Sequence, residues 1–459
     1  MTDLMAYAAS IPRNLAFIGA VIIAALLLCG AKILSDARIA KDAYLYAYAP
    51  YVFAKTAKTL TTPSEDAPHA SVNRLLHARE LADETTRRVT MPNVDTLYSL
   101  AVFDLAAGPA KIAIPASGAP YASIAFLDPF TDVFHLISQS QKDGRKELFL
   151  AGPDWIGDAP EGVQFVRAPT RDVWMLARVL AADADDFAAA HAWQDELTVT
   201  HDAPHGVWAP DIHLAEGDPD PESVLTIANK MLQRLPPDYQ HRRRGAAFQN
   251  AGLDGDGRSP SAYQRLLWRV IGSRVDQALE RATASPPVAE TSWRRPPKNI
   301  AAFGSDDAKR AGVAKIGLGA LPSNEALYFS TDTDANGSPL NGSVGYTFDI
   351  PIEGLPARSF WSLTVYEPSS DGRYFLFGNS LDRFAIGDRS KHLRRSEDGP
   401  IRIILSSTAP EQTENWLPAP DGPFRATLRL YRPDAVALDE NWPPPSLRAI
   451  GPISRDLVQ

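Results

Sequence analysis

A chain of 459 residues has room for two or three domains, and its 45% hydrophobic content suits a core-forming globular protein rather than a disordered one. With 55 acidic against 46 basic residues the net charge is −9, which speaks against phosphate-backbone binding, and therefore against a nucleic-acid partner, as a main activity. The single cysteine, Cys29, allows neither an intrachain disulfide nor a thiolate zinc site, so stability must come from core burial.

From Leu15 to Ala31 no charge interrupts a run rich in Ile, Leu, Val and Ala, and Lys32 ends it. A run of about 17 residues is at the short end for a transmembrane helix and exceeds the usual apolar region of a cleaved signal peptide. The expectation is a single-pass membrane anchor, with cleavage near Ser35-Asp36-Ala37 and secretion as the alternative. Bulky Leu28 before Cys29 argues against lipid attachment. Lys32, Arg38 and Lys41 on the far flank, against Arg13 on the near one, lean weakly toward a cytoplasmic body, although Asp36 and Asp42 interleave them.

Residues 36–60 read as helix, with Tyr44, Tyr48 and Tyr51 three to four apart and Tyr46 and Phe53 beside them, a stripe suited to packing. Pro50 is expected to kink or end it. Between 91 and 180 short apolar runs alternate with turn signals such as Gly108-Pro109 and Asp128-Pro129, which is strand punctuation. Val173 to Leu180 is a buried strand or a helix start. Val224, Ile227, Ala228, Met231, Leu232 and Leu235 then fall on one helical face behind Asp220 as cap and Pro221 as first residue. Pro236-Pro237 stops that helix. A second begins near Pro260, with Tyr263, Leu266, Leu267, Val270, Ile271, Val275, Ala278 and Leu279 on one face. His241-Arg242-Arg243-Arg244 between them is expected to be a solvated loop.

Beyond 299 strict alternation returns. Val344, Tyr346, Phe348 and Ile350 share a strand face, as do Trp361, Leu363 and Val365, and Leu428 and Leu430 alternate with Arg429 and Tyr431, the pattern of a half-buried antiparallel sheet. Asp371-Gly372 and Asp398-Gly399 mark hairpin turns. The fold class is mainly β, α+β overall: two antiparallel β-sandwich or jelly-roll-like modules with a helical insert, preceded by one N-terminal membrane helix. The expected division is a tail and membrane segment at 1–35, a first module at 36–215, a helical connector at 216–298 and a β-sandwich at 299–459.

Two long motifs carry a resemblance. Pro92-Asn93-Val94-Asp95-Thr96-Leu97-Tyr98-Ser99, followed by Phe103-Asp104-Leu105 and Gly108-Pro109, resembles the bacterial family called domain of unknown function 1254. Phe360-Trp361-Ser362-Leu363-Thr364-Val365-Tyr366, then Asn379, Arg383 and Asn415-Trp416-Leu417-Pro418-Ala419-Pro420, resembles its usual partner, domain of unknown function 1214. The resemblance implies two mainly β modules and an export signal, which pulls the expected location toward the periplasmic side of the inner membrane. It also suggests carbohydrate-related binding or processing. Phe384 stands where the family pattern has tyrosine.

Asn93, Asp95 and Tyr98 put an amide, a carboxylate and a phenol within six residues. Asp95 would serve as general base, Tyr98 as stacking or proton-donating group and Asn93 as a substrate clamp. Asn-x-Asp after Met91-Pro92 is equally the composition of a turn that bonds its own backbone. Tyr366, Asn379 and Arg383 are candidate binding groups around a strand-turn-strand unit, or polar residues that hold the hairpin. Trp416 either packs or stacks on a sugar face. Asp332-x-Asp334-x-Asn336-Gly337 opens like a calcium loop, but Ser343 stands where the bidentate Glu belongs, which favours a plain turn. His201, His205 and His213 cluster, yet Pro204 breaks any helix that would align the first two. No metal and no cofactor are expected, and the signatures of serine hydrolases, zinc peptidases, phosphate-binding loops and dinucleotide folds are missing from the sequence. The residues leave open whether the body is an enzyme acting on a hydroxylated or acyl, carbohydrate-like small molecule between the modules, with Asp95 and Tyr98 catalytic, or a non-catalytic glycan- or protein-binding envelope protein. A homo-oligomer stays open.

Overall fold

The computed structural model describes residues 13–65, 68–181, 184–202, 206–208, 212–214, 217, 219–255, 260–285, 287–288, 291–395 and 399–451. His205, Pro204, Pro286 and Asp398 lie outside them. The first helix, α1 (Arg13–Thr61), is unbroken for 49 residues, a rod of about 70 Å at 1.5 Å per residue. Its first half is apolar and exposed, with Phe17, Leu26, Leu27 and Leu28 among its most accessible side chains. Its second half is core: Ala40, Tyr44, Tyr46, Ala47, Tyr51, Phe53 and Ala54 are all buried. The tyrosine stripe therefore packs. Pro50 does not end the helix. It removes one backbone hydrogen bond, but packing on both flanks holds the turn it weakens.

The N-terminal β region holds nine strands: β1 (Leu76–His77), β2 (Thr96–Asp104), β3 (Ala110–Ile114), β4 (Tyr121–Leu127), β5 (Val133–Ser140), β6 (Lys146–Ala151), β7 (Gln164–Arg167), β8 (Asp172–Leu180) and β9 (Thr198–Thr200), with helix α2 (Ala184–Glu196) before the last. One sheet has the order β1-β2-β8-β4-β5 and the other β7-β6-β3-β9. The stretch from Val173 to Leu180 is a strand, buried on both faces at the centre of the first sheet. Val173, Met175, Ala177 and Val179 meet Ile112, Ile114, Leu148 and Leu150 of the second sheet in one core, while Trp174, Leu176 and Leu180 on the other face join the core around α1.

Helices α3 (Pro221–Arg234), α4 (Gln240–Gly245), α5 (Ala262–Thr283) and α6 (Asp307–Ile316) follow, and α1 packs against α3, α5 and α6. Asp220 caps α3 through the Glu222 and Ser223 N–H groups, and Ser261 with Gln264 forms a reciprocal capping box on α5. Ser261→Ala should destabilise the protein by about 1 kcal/mol, measured by chemical unfolding. Only part of the expected α5 face is buried: Leu267, Ile271, Val275 and Leu279 are, whereas Tyr263, Leu266 and Val270 are exposed. The basic cluster is a helix rather than a loop. His241 is fully buried, stacked on Phe130 at 4.2 Å, and Arg244 ion-pairs with Asp307.

The C-terminal β region adds β10 (Ala326–Thr331), β11 (Gly345–Ile350), β12 (Ala357–Pro368), β13 (Tyr374–Phe375), β14 (Ala385–Gly387), β15 (Ile401–Ser406), β16 (Trp416–Pro418), β17 (Arg425–Pro433) and β18 (Leu447–Gly451), with a one-turn helix α7 (Ala435–Leu438). Its sheets run β10-β17-β12-β13, with β14 on β12, and β16-β15-β11-β18. Leu327, Phe329, Trp361, Leu363, Leu428 and Leu430 of the first meet Phe348, Ile350, Ile403 and Leu405 of the second. The chain thus has two sheet-rich regions separated by helices, with helix and strand in comparable amounts rather than a β majority. The sheets are not wholly antiparallel, since β6 with β7 and β15 with β16 pair in parallel.

Candidate functional site

Strand alternation that buries Leu97, Ala177 and Ile124 on one face of β2, β8 and β4 turns Tyr98, Arg178 and Ser123 to the other, where register places them side by side. The C-terminal region repeats the pattern: β10, β17 and β12 bury Leu327, Leu428 and Leu363 inside and place Tyr328, Arg429 and Ser362 in one row on the opposite face. The two rows face each other across the contact between the regions. This overturns the reading of Arg429 and Tyr431 as the open face of a half-buried sheet. Arg429 is 2% exposed and Tyr431 fully buried.

The segment before β2 is clamped into this layer. Tyr374 accepts the Met91 N–H at 2.8 Å through its carbonyl, and the Tyr366 hydroxyl donates to the Pro92 carbonyl at 2.7 Å. Asn93 folds the turn, its Oδ1 accepting the Asp95 N–H at 2.7 Å, and its Nδ2 donates to the Tyr431 hydroxyl at 2.6 Å. The turn chemistry foreseen for this motif is real, but it belongs to Asn93. The Asp95 carboxylate, 7% exposed, reaches the other region instead, accepting from Ser362 Oγ at 2.7 Å and from Tyr431 at 3.2 Å. Tyr328 donates to Tyr431 at 3.2 Å, which completes a chain from Asp95 through Tyr431 to Tyr328. Tyr328 and Tyr98 are half-buried, whereas Tyr431 and Tyr366 are fully buried.

Two guanidinium groups set the electrostatics. Arg429 donates to Thr364 Oγ1 at 2.7 Å and to the Tyr366 hydroxyl at 2.5 Å, and lies 5.2 Å from the Tyr328 ring centre. Arg178 donates to the Gly319 carbonyl at 2.6 Å and lies 5.3 Å from the Tyr98 ring centre. Burial pushes the Asp95 carboxyl above its ordinary range, against the opposing pull of Arg429, Ser362 and Tyr431. Burial likewise pushes the Tyr431 phenol well up, aided by Tyr328 and Asp95. A folded-state pKa above the unfolded value stabilises the fold below that unfolded value and loses the contribution as pH rises through the folded one. The advantage of wild type over Asp95→Asn should therefore shrink as pH rises from near 3.8, followed by denaturant titrations at several pH values. An advantage that grew with pH would contradict it.

The structure gathers Asn93, Asp95, Tyr98 and Tyr366 into this layer. Asn379, Arg383 and Trp416 form a separate cluster. Asn379 accepts the Leu381 and Arg383 N–H groups, Arg383 donates to the Thr413 and Trp416 carbonyls at 2.7 Å each, and Trp416, 5% exposed, donates to the Ser406 carbonyl at 3.0 Å. Arg383 Nη1 and the Trp416 indole N–H are committed to loop backbone, and Trp416 is too buried to offer a stacking face. The calcium-like segment is a turn, with Asp334 accepting the Asn336 and Ser338 N–H groups and Asp332 ion-paired to Arg294 and Arg425. His201 contacts the Gly108 carbonyl at 3.0 Å.

Asp128, Asp132 and His241 bring three potential ligand atoms within 4.8 Å of one another. Nothing in the sequence pointed to this group, because His241 lies over a hundred residues from Asp128 and Asp132. Arg310, fully buried, pairs with Asp132 at 3.0 Å, while Tyr239 donates to Asp128. A divalent cation there would lie against a guanidinium, so the donor set fits a charge-balanced structural cluster better than a metal centre.

Residues 72–201 match the family model described as protein of unknown function (DUF1254), and residues 325–435 match protein of unknown function (DUF1214). The chain thus carries both of these modules, in this order. Its fold is similar to that of the VPA0106 protein from Vibrio parahaemolyticus, with TM-score 0.69 and 20% identity over 90% of this chain and 100% of that one. An uncharacterized protein from Burkholderia cenocepacia aligns over 93% of this chain and 99% of its own at 13% identity, with TM-score 0.43. No curated protein gives a significant match.

Proposed function

We propose that the protein binds a small hydroxylated or acyl molecule in the polar layer between its two β regions and acts on it by acid–base chemistry. The observation that supports this reading is the hydrogen-bonded chain from the buried Asp95 carboxylate through Tyr431 to the half-buried Tyr328. A carboxylate whose pKa is raised by burial is a stronger base than one in water, and a phenol relay lets it act without touching the ligand. A ligand hydroxyl would pass its proton to the Tyr328 oxygen as the Tyr328 proton moves to Tyr431 and the Tyr431 proton moves to Asp95. Tyr98 stands beside the ligand as a second phenol. Metabolite profiles of a deletion strain and of strains carrying Asp95→Asn or Tyr328→Phe at matched protein level test this. Both alleles should reproduce the deletion profile, and wild-type profiles from both would sink the relay.

The same reading keeps α1 as a retained single-pass anchor with the body on the periplasmic side. The helix is continuous through the 35–37 segment, where Lys32 pairs with Asp36 at 2.8 Å and Tyr263 donates to Asp36 at 2.5 Å. A full-length species confined to the membrane fraction, and protease-accessible from the periplasm, is the expected result. A shorter soluble species would contradict it.

A further inference from the structure

We propose that the molecule taken between the two regions carries a carboxylate, and that the Arg178 guanidinium is its receptor. This rests on reading the polar layer as a ligand site and names the charged group of that ligand. Arg178 is 5% exposed at the centre of its sheet, yet only its Nη2 is bonded, to the Gly319 carbonyl; Nε and Nη1 have no partner. Ser123 Oγ, its neighbour in register on β4, lacks one as well. Among the described residues no carboxylate lies within ion-pair distance of Arg178. Glu325, the acidic group nearest in effect, uses Oε1 to accept from Tyr121 at 2.8 Å and Ser138 at 2.9 Å. Buried guanidinium groups are ordinarily paired, because desolvated N–H donors without acceptors are costly.

Arg178 lies beside Tyr98 and Tyr328, two half-buried phenols, so its unsatisfied edge adjoins a less enclosed side of the layer than that formed by Tyr431 and Tyr366. With the second Nη2 proton, either unbonded nitrogen completes a planar two-donor edge that matches a carboxylate, and Ser123 adds a hydroxyl donor. Charge favours a monoanion: Asp95 and Glu325 already flank the site, and a phosphate dianion would be repelled by both. A carboxylate held there places the rest of the molecule against Tyr328, where the relay begins.

The test uses the full chain in mild detergent at pH 7, with acetate and propionate as probes, inorganic phosphate as comparison, and chloride holding ionic strength constant. Melting temperature and calorimetric affinity are the readouts. A carboxylate probe should raise the melting temperature of wild type in a dose-dependent way. Arg178→Met should bind it about tenfold or more weakly while melting no lower than wild type without ligand. If Arg178→Met does not fold, Arg178→Lys, which keeps the charge but not the fork, decides through its weakened affinity. Equal affinity in wild type and the Arg178 variant, silence of wild type toward both carboxylates, or a larger response to phosphate would each overturn the proposal. Tyr328→Phe separates it from the acid–base reading. That variant should keep the carboxylate response and give the deletion profile; a wild-type profile with the response kept would refute the relay alone, and a deletion profile with no carboxylate response in wild type would refute this inference alone.

Discussion

Replacing Asp172 by alanine should destabilise the protein by about 3–5 kcal/mol, the usual result of removing one partner from a buried ion pair. Asp172 opens β8 and is 1% exposed. Its carboxylate accepts from Arg234 Nε at 2.6 Å and Nη2 at 2.8 Å, and from the Trp208 indole N–H at 2.9 Å. Arg234 ends α3, and Trp208 packs edge-on against Phe53 of α1 at 6.1 Å, so one side chain ties β8 to α3 and, through Trp208, to α1. Alanine strands an indole donor and leaves Arg234 only Asp104, at 3.0 Å. Asp172→Asn keeps an acceptor for Trp208 and loses the charge, so its cost should fall between wild type and Asp172→Ala. Guanidinium unfolding of the three proteins in detergent measures the series. A loss below about 1 kcal/mol for Asp172→Ala would show that the three elements are held mainly by apolar packing.

Elements with a local cause were legible in the sequence. The α3 cap, the α5 start and the alternation of β11, β12 and β17 each follow from residues two to four apart, and each stands where it was expected. Asp95 was legible as a candidate because carboxylate, amide and phenol are close in sequence. Its partners were not. Ser362 and Tyr431 are 267 and 336 residues away, and alternation reports which residues share a face without reporting what covers that face. Arg178 was hidden for a related reason: inside an otherwise apolar strand it reads as an interruption. Arg383 and Trp416 show why the residues left two readings open. Residue types that bind ligands well also hold loops well, and only the positions of the neighbouring carbonyls distinguish the two uses.

Gly312→Ala should cost about 3 kcal/mol, the upper range for forcing a methyl group into a filled core. Gly312 lies on α6 where it crosses the last turn of α5. A Cβ there would meet the Ala282 carbonyl oxygen at 2.3 Å, its carbon at 2.5 Å and the Thr283 nitrogen at 2.9 Å. These are backbone atoms of a helix, so no rotamer change relieves the contact and α6 as a whole must shift. The shift should reach beyond stability. Arg310 on α6 pairs with Asp132, and the chain leaving α6 carries Gly319, whose carbonyl holds Arg178, and Glu325, which accepts from Tyr121. Gly317→Ala is the control, since its Cβ would meet only the Val313 carbonyl oxygen at 3.8 Å and the Val313 side chain at 3.9 Å, and it should stay within about 0.5 kcal/mol of wild type. Thermal unfolding of both variants, with acetate binding measured on the folded fraction, should show Gly312→Ala impaired in both readouts and Gly317→Ala in neither. A Gly312→Ala protein that is destabilised but binds acetate as wild type would show that the helix crossing and the polar layer are mechanically independent.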